Sequence, residues 1–123
     1  MRTRTTFVAF LFLSVAVFAQ EGVRKLDGAG EHTKYLTPGQ LDEWIFEGEK
    51  GETVIVHVAT GEFDSVLGLA VKREKQDQVL FEVDDDGSDS RFALRLPEKV
   101  EYKIRVHAFK YNGGGNYKLH VRV

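Results

Sequence analysis

With 17 Lys and Arg against 19 Asp and Glu, a chain of 123 residues is one domain's worth of polypeptide with a slight acidic excess. No basic stripe interleaves with aromatics, which argues against nucleic acid as a partner. Zero cysteine excludes disulfides, thiol nucleophiles and cysteine-ligated zinc.

Residues 1–19 read as a secretory signal peptide. Arg2 and Arg4 precede an apolar run from Phe7 to Phe18 that only Ser14 interrupts, and Val17-Phe18-Ala19 sets up cleavage before Gln20. That run is too short for a comfortable transmembrane helix, and nothing after it is long enough to span a bilayer. The mature protein is therefore expected to be secreted or periplasmic. Residues 20–32 are polar and contain glycine, which predicts a flexible leader. The folded domain is expected over residues 33–123.

From Thr33 onward the apolar residues recur with a period near two, the mark of half-buried strands. Thr33 to Leu36 predicts a first strand ending at Thr37-Pro38-Gly39. In Asp42 to Phe46, Trp44 and Phe46 share a face, which predicts burial of both. Val54, Val56 and Val58 share one face of the next strand, and Phe63, Leu67, Leu69 and Val71 one face of the fourth. Lys72 to Asp77 is a charged loop. Val79, Phe81 and Val83 alternate into the acidic run, and Phe92, Leu94 and Leu96 alternate out of it. Tyr102, Ile104, Val106 and Ala108 alternate in the seventh strand, and Tyr117, Leu119, Val121 and Val123 in the eighth. Between them Tyr111-Asn112-Gly113-Gly114-Gly115 predicts a hairpin loop, since glycine takes positive φ without strain. About eight short strands, each with one apolar face, make an all-β, antiparallel β-sandwich.

The acidic run Asp84-Asp85-Asp86-Gly87-Ser88-Asp89-Ser90 has two readings. The first is a solvated turn, because Asp side chains bond nearby backbone and glycine takes positive φ. The second is a calcium site, because that hard cation collects six to eight oxygens. An EF-hand loop counted from Glu82 fails: its twelfth position is Ala93 rather than a bidentate Glu. A calcium site built from Asp84, Asp85, Asp86 and Asp89 would need a ligand from elsewhere, and Asp64 is the candidate. Its strand is expected to pair with the strand that runs into Asp84.

These spaced features resemble the bacterial pre-peptidase C-terminal domain over about residues 33–123. The features are Asp42-Glu43-Trp44-Ile45-Phe46, Gly51-Glu52-Thr53-Val54-Ile55-Val56, Phe63-Asp64-Ser65-Val66-Leu67-Gly68-Leu69, the acidic turn, Tyr102-Lys103-Ile104-Arg105-Val106 and Gly115-Asn116-Tyr117-Lys118-Leu119. The resemblance implies a jelly-roll-like sandwich, usually appended to secreted peptidases and not itself catalytic. Relatives in collagenases bind collagen and use calcium. No peptidase domain is expected within these 123 residues, so the role of accompanying a fused protease does not carry over directly.

Function is therefore expected to be binding rather than catalysis, with an extracellular protein or polysaccharide as partner. The alternative is an accessory role beside a separate secreted peptidase. Phe109 breaks the core phase and Tyr111 sits in the loop, so both are expected on the surface as a contact pair. A metal-dependent enzyme is the remaining reading. It would use His107 and His120, expected opposite each other across the last hairpin, but two imidazoles without a third ligand are an incomplete zinc site. Calcium is the only cofactor the sequence suggests.

Overall fold

The computed structural model describes residues 23–26, 29–84 and 89–123. The strands are β1 (Val23–Lys25), β2 (Gly30–Leu36), β3 (Leu41–Gly48), β4 (Thr53–Ala59), β5 (Ser65–Val71), β6 (Gln78–Val83), β7 (Ser90–Arg95), β8 (Val100–Ala108) and β9 (Gly115–Arg122). They form a five-stranded sheet of order β1-β3-β8-β5-β6 and a four-stranded sheet of order β2-β9-β4-β7. Every pairing is antiparallel except the short β1–β3 contact. The fold is thus an all-β sandwich, as the alternation predicts. From β2 to β9, successive strands switch sheets at every step but β5–β6, which is the order of a jelly roll.

The alternation is realised in packing. On β4, Val54, Val56 and Val58 point inward while Ile55, His57 and Ala59 stay half-exposed. Leu36, Leu67, Leu69, Leu96, Ile104, Val106 and Leu119 complete an interior closed to water. Burial of such side chains contributes about 1.5–3 kcal/mol each and drives the two layers together.

Three segments depart from expectation. The folded part begins earlier than Thr33. Val23–Lys25 pairs in parallel with β3, β2 starts at Gly30, and Leu26 is buried with its N–H donating to Ile45 O at 2.8 Å. One apolar residue in a polar stretch anchors what a period-two pattern is too short to reveal.

On β6 a bulge breaks the alternation of Val79, Phe81 and Val83. Leu69 pairs with Phe81 but Ala70 pairs with Val79, so Leu80 is the extra residue. Leu80 and Phe81 both pack on the core, and Val79 is left exposed.

The third departure is the β8–β9 connection, which is not a hairpin. The two strands lie in different sheets, so the glycine-rich segment carries the chain across the end of the sandwich.

β5 is buried on both faces. Its outward residues Val66, Gly68 and Ala70 face a layer of charged side chains rather than solvent. Lys103 Nζ meets Asp77 at 2.6 Å, Arg105 meets Glu43 at 3.5 Å, and Glu82 meets His107 at 3.1 Å. The Asp77 hydrogen bond raises the Lys103 pKa above the usual lysine value, with Glu43 and Glu101 adding attraction against partial burial.

Candidate functional site

At the crossing between sheets, β8 gives way to a single 3-10 turn, Phe109–Tyr111. Phe109 N–H donates to Asp64 O at 2.7 Å, and Asn112 N–H closes the turn on Phe109 O at 3.1 Å. Within the turn Lys110 and Tyr111 have φ of 55° and 56°, two successive left-handed residues with side chains. That conformation costs about 1–2 kcal/mol per residue, because Cβ crowds the following carbonyl. The strain holds two rings out from the surface: Phe109 is 42% exposed and Tyr111 46%. Lys110 Nζ lies 5.4 Å from the Phe109 ring centre.

Tyr111 is not loose. Its ring stacks on His107 at 4.3 Å with 8° between the planes, and this lid explains why His107, at an outward position of β8, is buried. His107 Nδ1 lies 2.8 Å from Ala108 O. A carbonyl only accepts, so Nδ1 carries the proton of that bond. His107 Nε2 lies 3.1 Å from Glu82 Oε2, and a hydrogen bond there needs a proton on one of those two atoms. Val66, Glu82, Val83, Asp84, Phe109 and Lys110 complete the wall of a recess of about 300 Å³ over His107 and Tyr111.

Of the five candidate metal ligands, the three described ones, Asp64, Asp84 and Asp89, do not form one cluster. Asp64 is exposed just before β5, with its carbonyl fixing the turn. Asp84 follows β6 and borders the recess. Leu67 pairs with Val83, so the expected pairing of these strands is present and puts Asp64 and Asp84 at one end of the five-stranded sheet. Asp89 immediately precedes β7 of the other sheet, and there Oδ1 accepts from Thr60 N–H at 3.2 Å and Oδ2 lies 3.4 Å from His57 Nε2. Asp85 and Asp86 lie outside the described residues. Among the described residues no three His, Asp or Glu side chains could hold a metal ion, so Asp64, Asp84 and Asp89 alone do not fit calcium.

The expected His107–His120 pair is corrected. β8 and β9 occupy different sheets, and His120 pairs instead with His57 across β4–β9, ring centres 5.5 Å apart. Sequence reading places Phe109 and Tyr111 on the surface but misses the His107–Glu82 contact beneath Tyr111. The available signal is that Phe109 breaks phase two residues after a histidine.

No family profile and no curated protein matches the chain. Solved structures do match. PliG of Aeromonas hydrophila, a periplasmic inhibitor of g-type lysozyme, superposes with a TM-score of 0.65 at 15% identity, over 80% of this chain and 93% of that one. The pre-peptidase C-terminal domain of Bacillus anthracis collagenase gives 0.62 at 16% identity, over 81% and 94%. The fold is shared with that domain. PliG of Salmonella Typhimurium gives 0.59 at 15% identity, over 81% and 96%. The resemblance read from the spaced strand motifs is thus borne out in three dimensions. At these identities the likeness is one of fold. Among the described residues no helix is long and apolar enough to cross a membrane.

Proposed function

We propose that this chain is an exported, non-catalytic module that binds an extracellular or periplasmic protein through the corner at Phe109, Lys110 and Tyr111. One observation carries the reading: two successive strained residues hold a pair of half-exposed aromatic rings beside a recess. Backbone strain of this kind persists where the surrounding fold enforces it, and it clusters at binding sites. Rigid aromatic side chains supply much of the energy at protein interfaces. The solved neighbours support the class. Two are named as periplasmic inhibitors of g-type lysozyme and one as a domain of a collagenase, so the fold elsewhere engages a protein partner or is joined to an enzyme. A separate secreted peptidase is a narrower form of the same proposal, and a polysaccharide is the rival.

The test begins with the full chain, expressed with its own amino terminus. Recovery from the periplasm or medium with Gln20 first supports export. The purified protein is then passed over immobilised collagen, a g-type lysozyme, cell wall and neutral glycans. Retention on a protein, weakened about tenfold or more by Tyr111→Ala, is the expected result. Equal retention of wild type and variant on every surface removes the proposal, and retention on glycans alone favours the rival.

Calcium binding stays a proposal that depends on Asp85 and Asp86 joining Asp64 and Asp84. A folded-state ligand raises the melting temperature by mass action. Melts with calcium and with chelator should then differ in wild type and coincide in Asp84→Asn. Identical wild-type melts would leave the acidic run a solvated turn.

A further inference from the structure

The outer face of the four-stranded sheet carries cations that no described carboxylate neutralises. On the opposite sheet Lys103 and Arg105 each meet a carboxylate. On this face Arg91, Arg95 and Arg122 form no ion pair among the described residues. In a chain of formal charge −2, the concentration is uneven.

Register assembles the patch. Glu31 of β2, His120 of β9, His57 of β4 and Arg91 of β7 lie side by side in one row. In the next row Arg122 lies opposite Ile55, and Ile55 opposite Ala93. The two imidazoles stack with 20° between their planes, and carboxylates bracket them at the outside: Asp89 lies 3.4 Å from His57 and Glu31 lies 3.3 Å from His120. Lys118 also reaches Glu31, at 3.8 Å. The arginines are left facing outward around a recess of about 370 Å³ lined by Ile55, His57, Arg91, His120 and Arg122.

We infer that this face is a second contact surface and that its occupant is an extended acidic peptide segment of a partner protein. The guanidinium fork matches the planar carboxylate in two parallel hydrogen bonds. Ile55 between the two arginines gives the aliphatic stem of a Glu or Asp side chain an apolar floor. The outward residues of a strand recur about every 6.6 Å, and an extended peptide repeats its same-side carboxylates at that spacing. Lys118, His120 and Arg122 stand at such a repeat along β9. This surface lies on the four-stranded sheet, away from the recess walled by β5, β6 and β8 residues, so it stands or falls independently of the Tyr111 corner.

The experiment measures anisotropy of fluorescein-labelled hexaglutamate titrated with the full chain, with hexalysine as control and dextran sulfate as competitor. Hexaglutamate should bind, hexalysine should not, and affinity should fall as salt rises from low to physiological ionic strength. The double variant Arg91→Ser/Arg122→Ser should bind about tenfold or more weakly while its melt stays that of wild type, since both side chains are exposed. Lys75→Ser, which removes the same kind of charge from an exposed loop of the other sheet, should bind as wild type does. Equal binding by the double variant, or equal binding of both peptides, overturns the inference. Binding of dextran sulfate without hexaglutamate also overturns it and assigns the face to a sulfated polymer.

Discussion

A single carboxylate joins the two layers of the sandwich. Asp42 sits at an inward position of β3 and is 3% exposed. Its Oδ2 accepts from Tyr117 Oη at 2.7 Å, Tyr117 Oη accepts from Trp44 Nε1 at 3.0 Å, and Asp42 Oδ1 meets Lys34 Nζ at 2.9 Å. A buried charge is tolerated only when paired and hydrogen-bonded, and here the partners come from β9 and β2 in the facing sheet. Asp42→Ala should cost about 3 kcal/mol, because the ammonium of Lys34 loses its counter-ion in a largely buried place. Tyr117→Phe should cost about 1–2 kcal/mol, by taking the acceptor from the Trp44 indole. Urea unfolding followed by fluorescence measures both, and a midpoint unmoved in Asp42→Ala would show the chain of bonds contributes nothing. The burial of Trp44 and Phe46 is legible in the alternation of their strand. The burial of Asp42 in the same phase is not, because a strand pattern gives the side of a residue and not the partner waiting there.

The elements show the same division. Eight of the nine described strands are legible from their short apolar patterns, because a two-layer fold turns every second side chain of a strand toward the interior. Sheet membership is not legible. Tyr111 to Gly115 would serve a hairpin as well as a crossing, and only the core decides which sheet β9 enters. The strained corner inherits that ambiguity: the aromatics are visible in the sequence, but the left-handed turn that presents them follows from the crossing.

The glycines of this segment do separate jobs. Gly113 and Gly115 have positive φ, whereas a Cβ on Gly114 would collide with Leu36 O and meet Pro38 N at 2.8 Å. Both are backbone atoms, so relief requires moving the end of β2. Gly114→Ala should therefore destabilise by about 1–3 kcal/mol. Gly61→Ala, with nothing within 4 Å of the added methyl, should stay within about 0.5 kcal/mol of wild type. Equal urea midpoints for the two variants would show that the β2 end yields freely.

At the scale of the whole molecule, neither sheet has a core of its own. Leu67, Leu69, Ile104 and Val106 of one layer and Val56, Val58, Leu119 and Val121 of the other form a single apolar cluster. The β2–β9 and β3–β8 ladders tie early strands to the last ones, with Leu36 opposite Gly115 and Leu41 opposite His107. Pairings so distant in sequence lose loop-closure entropy before they gain contacts, which gives slow but all-or-none folding. Separating the layers would expose both inner faces at once and strip Asp42 of its partners, so a state with one sheet intact has little to stabilise it. Trp44, at that junction, reports on the contact between layers, while far-ultraviolet circular dichroism reports on the ladders. The two signals should trace one urea transition with a common midpoint and slope. If indole exposure preceded loss of strand signal, each sheet would persist without the other, and the shared interior would not be what makes folding cooperative.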